Sequence, residues 1–517
     1  MNYRNCSILV KFYKSFMTTG NEIAIDKPEK ARIPRSVPFI IGNEFAERFS
    51  FYGMRSILAV FLVHQFFIHE DSITANAHSN TINHTFSTLV YATPLLGAIL
   101  ADWFFGKYRV ILIGSLIYTI GHFLLSMFDT SLGGFETGLI IIAFSAGAIK
   151  SCVSANVGDQ FDHKNQHLMS SIYSWFYFSI NAGSMVSLLL IPYVYDKFGA
   201  KWAFGVPGIL MAAATYIFFS GRKSYVKLPP KGINRANFAS VSAYALINKF
   251  KSRPDGKKGW EAAIVKYGAE KVDGIKAVWR IMAVFAFIPV FWSLWDMNGA
   301  EWVLQSTKMN LDLGIFGMHI LPSQIQFVNA VFLLVLIPVF NYGLYPLVEK
   351  LGIKLTPLRK IGAGLFTTGF SFVIIALIQI KVDAGAHPSV WWQILAYVIL
   401  SAGEVLVSIT GLEYAYTQSP PSMKSTMTAI WYVTYSVGSF FNAVVNNSIA
   451  NNGIFKNFTG ASYYWLFVGI CFAFVVVFVL VSPYIKEKAY LVDDVLAQGL
   501  DIQGNKTREI HPDNPIV

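Results

Sequence analysis

Glu44, Glu47, Arg48, Phe51, Tyr52 and Arg55 follow one another at offsets of 0, 3, 4, 7, 8 and 11. At about 100° per residue these positions share a ~140° arc of one helix. Four of the six carry charge. Two carboxylates within a turn of a guanidinium form a group that can exchange protons, because burial and Arg48 act on their protonation in opposite senses. A ligand carboxylate that competes for Arg48 would shift that balance, so the same residues can also sense an anion. The flanking residues 37–42 and 56–67 are almost wholly apolar, and with the charged centre they are long enough to cross a bilayer. Each unpaired charge at membrane depth costs roughly 2.5–3.5 kcal/mol, so this face must look toward other helices or a water-filled cavity.

The elements that must position this face are legible in composition. Hydrophobic residues make up 54% of the 517-residue chain and charged residues only 14%, the balance of an integral membrane protein. Twelve apolar runs have spanning length: 37–66, 83–103, 110–128, 136–156, 168–194, 203–220, 279–298, 325–345, 359–380, 389–412, 425–448 and 461–484. If loops are assigned to alternate sides, 32 of the 41 lysines and arginines fall on the side that carries both termini. This is the positive-inside pattern, so both ends are expected in the cytoplasm. The net charge of +11 therefore reports topology and anionic lipid contact, not a nucleic-acid partner. Cys6, Cys152 and Cys471 have neither metal nor disulfide spacing and read as packing residues. Residues 1–36 hold no removable signal peptide pattern, which leaves the first span as the targeting signal and Met17 as an alternative start.

The longest polar interval divides the chain into a tail (1–36), a six-helix bundle (37–220), a lysine-rich linker (221–278), a second six-helix bundle (279–484) and a second tail (485–517). Residues 238–250 and 260–269 have helical periodicity and are expected as amphipathic helices on the cytoplasmic surface, with a plain flexible connector as the alternative. The expected fold is an all-α membrane protein of twelve transmembrane helices in two six-helix bundles that bind between the halves near the midplane. Between the second and third spans, Gly97, Asp102, Gly106, Lys107 and Arg109 lie in GAILADWFFGKYR. Glycines there permit a tight turn and close helix approach, and the aspartate with its basic neighbours can form a breakable latch. The spacing resembles the cytoplasmic-loop motif of the major facilitator superfamily.

The run from Gly42 to Gly53, GNEFAERFSFYG, resembles the E-x-x-E-R-F-x-Y-Y-G signature of proton-coupled oligopeptide transporters. FYFSINAGS (176–184), AIKSCVS (148–154) and the pair Gly403-Glu404-Val405 and Gly411-Leu412-Glu413 resemble the same family, and the likeness runs from about residue 36 to 485. It implies a proton-coupled symporter that imports di- and tripeptides by alternating access, with peptide-like drugs as further ligands. It also implies that the chain has no enzymatic role and no cofactor beyond protons as the coupling ion, and that it works as a monomer. The expected location is a plasma membrane, either a bacterial inner membrane or a eukaryotic cell membrane.

Residue chemistry fits such a ligand independently of the family. A short peptide carries a carboxylate at one end and an ammonium at the other, so a site for it needs cations at one pole and an anion at the opposite one. Arg48 offers a planar fork, Lys150 a point charge and Tyr52 a hydroxyl, all from the amino-terminal half. Glu404 reads as the only carboxylate in the middle of the second half. The resemblance places Arg48, Tyr52, Lys150 and Tyr91 at the peptide carboxyl end and Asn181, Asn329 and Glu404 at the amino end. It places Tyr177, Trp292 and Trp431 in side-chain pockets, where membrane anchoring or core packing is the competing role for each tryptophan. Glu44, Glu47 and His84 are implied in proton coupling, with His84 expected near the outer end of the second span. Arg55 and Asp296 are implied as an extracellular gate.

Some positions depart from the family pattern. Arg280 faces an expected partner position occupied by Asn341, Phe51 replaces a signature tyrosine, and Ser151 stands where a proline would bend the helix. The interval 380–388 is too short for the large extracellular domain of mammalian relatives. Sequons at Asn446 and Asn457 are expected near an outward loop. Competing functions are a carrier of nitrate, amino acids or other small anions, an intramembrane enzyme using Glu47 or His84 as a base, and a receptor that binds peptide without carrying it. The chain has neither G-x-S-x-G nor H-E-x-x-H to support the enzyme.

Overall fold

The computed structural model describes residues 33–485, apart from 162–164, 166–167, 231, 233–236, 252–255, 315–316 and 421–422. Cys6, Met17, nearly all of the first tail and all but Ile485 of the second lie outside the described residues. The regular elements among the described residues are all helices, with only two isolated β-bridges, Asn310 with Ser389 and Asp312 with His319.

The amino-terminal half holds α1 (Val37–Gln65), α2 (Ser72–Ala92), α3 (Pro94–Ile99), α4 (Lys107–Met127), α5 (Leu132–Gly158), α6 (Met169–Phe198) and α7 (Ala200–Ser220). Two short helices follow, α8 (Phe238–Phe250) and α9 (Gly259–Tyr267). The remainder comprises α10 (Ala269–Phe285), α11 (Ile288–Asp296), α12 (Glu301–Ser306), α13 (Phe327–Val339), α14 (Tyr345–Lys350), α15 (Pro357–Asp383), α16 (Val390–Glu404), α17 (Thr410–Gln418), α18 (Lys424–Ala450) and α19 (Ala461–Val481).

Among the described residues, nine helices are long and apolar enough to cross a membrane, and α10 with α11–α12 makes a tenth, bent by 50°. Asp71 starts α2 by accepting from the Ile73 and Thr74 amides. The Thr74 side chain and these amides hold the Asp71 carboxyl below the usual range. The second helical stretch, Ser72–Phe105, begins well before the apolar run that marked it in sequence.

Buried apolar side chains form two large clusters. One draws only on residues between Val37 and Tyr225, and the other lies almost wholly beyond Val241, with Ala59, Val60 and Ala77 reaching into it. Close backbone approach holds the helices within each cluster. A Cβ on Gly53 would come within 2.6 Å of Ile191, and one on Gly438 within 2.4 Å of the Pro289 carbonyl. The helices α8 and α9 pack on each other and bury Val241, Ala245 and Ala263 in the second cluster. Leu246, Ile247 and Phe250 remain exposed on the other face of α8. The interval is therefore not a plain connector: one face is docked on protein, and only the other could meet lipid.

Candidate functional site

The charged arc of α1 is buried, and its charges meet. Arg48 Nε lies 2.9 Å from Glu44 Oε1 and 2.6 Å from Glu47 Oε2. The spacing of one helical turn brings Glu44 to Arg48, while Glu47 reaches it as a sequence neighbour. Tyr118 from α4 packs in the same cluster as this arc. Lys150 of α5 lies over the rings of Phe51 and Tyr91, at 4.2 and 4.4 Å from their centroids. Phe51 thus supplies a face for a buried ammonium where a tyrosine would supply a hydroxyl. Ser151 donates to the Ala148 carbonyl at 2.9 Å, and α5 continues unbroken past it to Gly158.

At the other pole, Glu404 is the last residue of α16 and is followed by a wider π-turn, Val405–Ile409. Such turns re-aim side chains within a span. Glu404 Oε2 accepts from Trp295 Nε1 at 2.7 Å and from Asn329 Nδ2 at 3.1 Å. Asn329 also donates to Ser401 at 3.0 Å, which fixes its amide. A cavity of about 110 Å³ is lined by Tyr52, Arg55 and Asn181 from one half and by Trp295, Asn329 and Glu404 from the other. Trp292 and Trp431 stand 5.8 Å apart, edge to face, with Tyr435 4.8 Å from Trp292. Tyr435 in turn stacks on Tyr91 across the halves at 3.7 Å. Arg48, Tyr91, Lys150, Trp292 and Trp431 are not among the residues that line this cavity. Tyr177 is not brought to it either: its side chain is exposed, and its carbonyl accepts from Asn181.

The two halves are tied together by Asp296. Arg55 forms a buried ion pair with it, Tyr435 donates to it at 2.5 Å, Ser439 donates to it, and His84 Nδ1 lies 2.7 Å away. His84 is thus not at the edge of a span but fully buried in the middle of α2. The misplacement arose because the polar first half of α2 does not read as apolar. The other ring nitrogen, Nε2, lies 2.8 Å from Glu301. Sequence reasoning passed over Glu301; it and Asp296 are buried carboxylates of the second half, so Glu404 is not the only inward carboxylate there. Spacing gave no signal, because five residues along a helix would turn Glu301 about 140° away from Asp296, and the interruption at Met297–Gly299 changes that direction.

Other expectations are corrected. Lys107 Nζ pairs with Asp159 at 2.7 Å, so the basic end of the loop motif is latched to the end of α5, while the Asp102 side chain is exposed. Gly106 does make the turn, at φ +79°, and a Cβ on Gly97 would lie 2.5 Å from the Ala148 backbone. Arg109 is exposed. Asn446 is not on an outward loop: it is buried, donating to Glu301 at 3.2 Å and to Tyr463 at 2.9 Å, and is closed to glycosylation. Asn457 is exposed. Arg280 and Asn341 are both exposed, so neither belongs to this network. Cys152 and Cys471 are buried free thiols.

The family model described as the POT family matches residues 108–466. The chain belongs to the POT family. It is 36% identical over 400 residues to solute carrier family 15 member 2 of Homo sapiens, covering 74% of this chain and 54% of that protein. It is 37% identical over 368 residues to peptide transporter 3 of Caenorhabditis elegans, covering 68% of this chain and 51% of the relative. The chain spans about half the length of the curated relatives it matches. A solved auto-inhibited POT family peptide transporter superposes with a TM-score of 0.82 at 34% identity, over 88% of this chain and 98% of that one. A second POT family transporter, PepTSo, gives 0.79 at 36% identity, over 88% and 98%. The all-helical architecture and these likenesses fit a major-facilitator-like fold. POT proteins are carriers, and the relatives matched here are named as solute carriers and transporters, not as enzymes.

Proposed function

We propose that this POT protein is a proton-coupled symporter that imports di- and tripeptides, with peptide-like drugs as further ligands, by alternating access. One observation carries the reading: the inter-half cavity has Tyr52 and Arg55 on one wall and Asn329 and Glu404 on the other. Arg48, Tyr52, Lys150 and Tyr91 hold the peptide carboxylate. Asn181, Asn329 and Glu404 hold the ammonium. Trp292 and Trp431 give side chains apolar contact without directional demands, whereas Tyr177, exposed here, is left out of the pocket. Lys150 supports this assignment, since aromatic faces alone leave a buried ammonium short of an anion.

In this reading α1 and α18 are the two spans that join the ten apolar ones. At 29 and 27 residues both are long enough to cross, and their polar residues are what line the path. The twelve spans form two six-helix bundles, residues 37–220 and 279–484, joined by 221–278, with both termini cytoplasmic. The protein works as a monomer in a plasma membrane, with protons as its coupling ion. Arg55 and Asp296 form the extracellular gate, and the conformation described here is closed at that gate. Glu44, Glu47 and His84 couple protons to the cycle. Gly97, Asp102, Gly106, Lys107 and Arg109 belong to the cytoplasmic side, with Asp159 as the partner of Lys107.

Purified protein in liposomes should accumulate labelled dialanine when the outside is acidic, and accumulation should vanish when an uncoupler removes the gradient. A membrane potential supplies about 2.3 kcal/mol per charge per 100 mV. A Glu47→Gln variant should retain peptide counterflow between equal-pH compartments while its gradient-driven accumulation is lost. Nitrate carriage in place of peptide carriage would make nitrate the better competitor, and a receptor would bind dialanine without accumulating it.

A further inference from the structure

We propose that Glu301 is the proton inlet of this carrier, passing protons from an outer cavity to His84, and through it to the Asp296 gate. The inference rests on the symporter reading above. His84 is gripped at both ring nitrogens, by Asp296 at 2.7 Å on Nδ1 and by Glu301 at 2.8 Å on Nε2. An imidazole held in this way can take a proton at one nitrogen and release another from the opposite one. Glu301 is itself held by Tyr463, which donates to Oε1 at 2.8 Å, and by Asn446. It also lines a cavity of about 440 Å³, distinct from the one beside Glu404. Ser72, Ile73, Lys308 and Asp383 line that cavity too, and all four are exposed residues at or near helix ends. The cavity therefore connects helix ends to a buried carboxylate, and the carboxylate touches the histidine.

Each step moves one proton. A hydronium ion in the cavity gives its proton to a Glu301 oxygen and becomes water. Glu301 passes that proton to His84 Nε2 as His84 gives up its Nδ1 proton to Asp296 Oδ2. Neutral Asp296 no longer answers the charge of Arg55, and the halves are released at this end. The charged and titratable groups facing this relay are Arg55 from α1, His84 and Tyr91 from α2, Asp296 from α11, Tyr435 from α18, and Tyr463 and Tyr464 from α19. Lys308 and Asp383 stand at the cavity wall. Glutamine at position 301 would keep the contacts to His84 and Tyr463 but cannot carry a proton from the cavity to His84. A role limited to holding His84 in place would survive that change.

The test is dialanine uptake into liposomes across an outside pH series, for the wild type, Glu301→Gln and Glu301→Asp, with dialanine affinity measured on each purified protein. Glu301→Gln should lose the acid stimulation of uptake, with a rate about a hundredfold lower at the acid end, and still bind dialanine. Glu301→Asp should recover part of the acid stimulation. A wild-type pH profile in Glu301→Gln would overturn the inlet while leaving the symporter intact. So would equal loss of binding and uptake in both variants. Absence of acid-driven uptake in the wild type would remove the symporter reading itself.

Discussion

Glu404→Gln should bring gradient-driven dialanine uptake close to that of empty liposomes. The substitution preserves volume, and its remaining carbonyl oxygen can still accept from Trp295 and Asn329, which now bond Glu404 Oε2 at 2.7 and 3.1 Å. What disappears is the charge. A hydrogen bond to an ionised partner contributes about 1.5–3 kcal/mol, so binding of a peptide ammonium should weaken by about ten- to a hundredfold. The loss should appear in dialanine affinity as well as in uptake rate, which separates it from a defect in coupling. A near-normal dialanine affinity in Glu404→Gln would mean that the ammonium is held elsewhere.

Asp296→Asn should open the outer end of the molecule. Asp296 is fully buried and gathers Arg55, His84, Tyr435 and Ser439. Removing one charge of such a group leaves the others buried without compensation, at about 3–5 kcal/mol. That cost falls on the closed arrangement, in which the halves meet, and much less on the open one, in which Arg55 can be hydrated. The closed-to-open ratio should then fall by more than about a hundredfold. A cysteine introduced as Leu188→Cys, beside the inter-half cavity, should react with an impermeant thiol reagent far faster in the Asp296→Asn background. The two native cysteines in the described spans are buried and give a low background. Unchanged labelling would show that Asp296 does not hold the gate.

The all-helical character and most of the apolar spans were legible in the sequence because hydropathy reports directly on the bilayer. Its weakest point was the placement of polar spans. The amino-terminal part of α2, Ser72–Asn83, carries little apolar character, and several of its polar side chains are buried by protein: Ser79 bonds the Ala59 carbonyl of α1, and Asn80 bonds Asn446 of the other half. A polar stretch that is buried by protein looks like a loop to a hydropathy reading, which is why His84 is expected at a span edge. The site was legible where spacing within one helix sufficed, as for Glu44, Glu47 and Arg48. The pairing of Glu301 with His84 and with Asn446 was illegible because these residues lie more than a hundred positions apart and meet only through the packing of α2, α12 and α18. Lys107 shows the same limit, since its carboxylate partner came from the end of α5 and not from the neighbouring Asp102.

The central claim is a pair of opposed electrostatic poles that measure a peptide by its two ends. Its most direct test is competition against labelled dialanine uptake in wild-type liposomes, by unlabelled dialanine, its carboxyl-amidated form and its amino-acetylated form. Dialanine should compete fully, and each blocked form should compete about tenfold or more weakly, because one pole loses its charge-assisted bond. Equal competition by all three would show that neither terminus is read and would contradict the two-pole site.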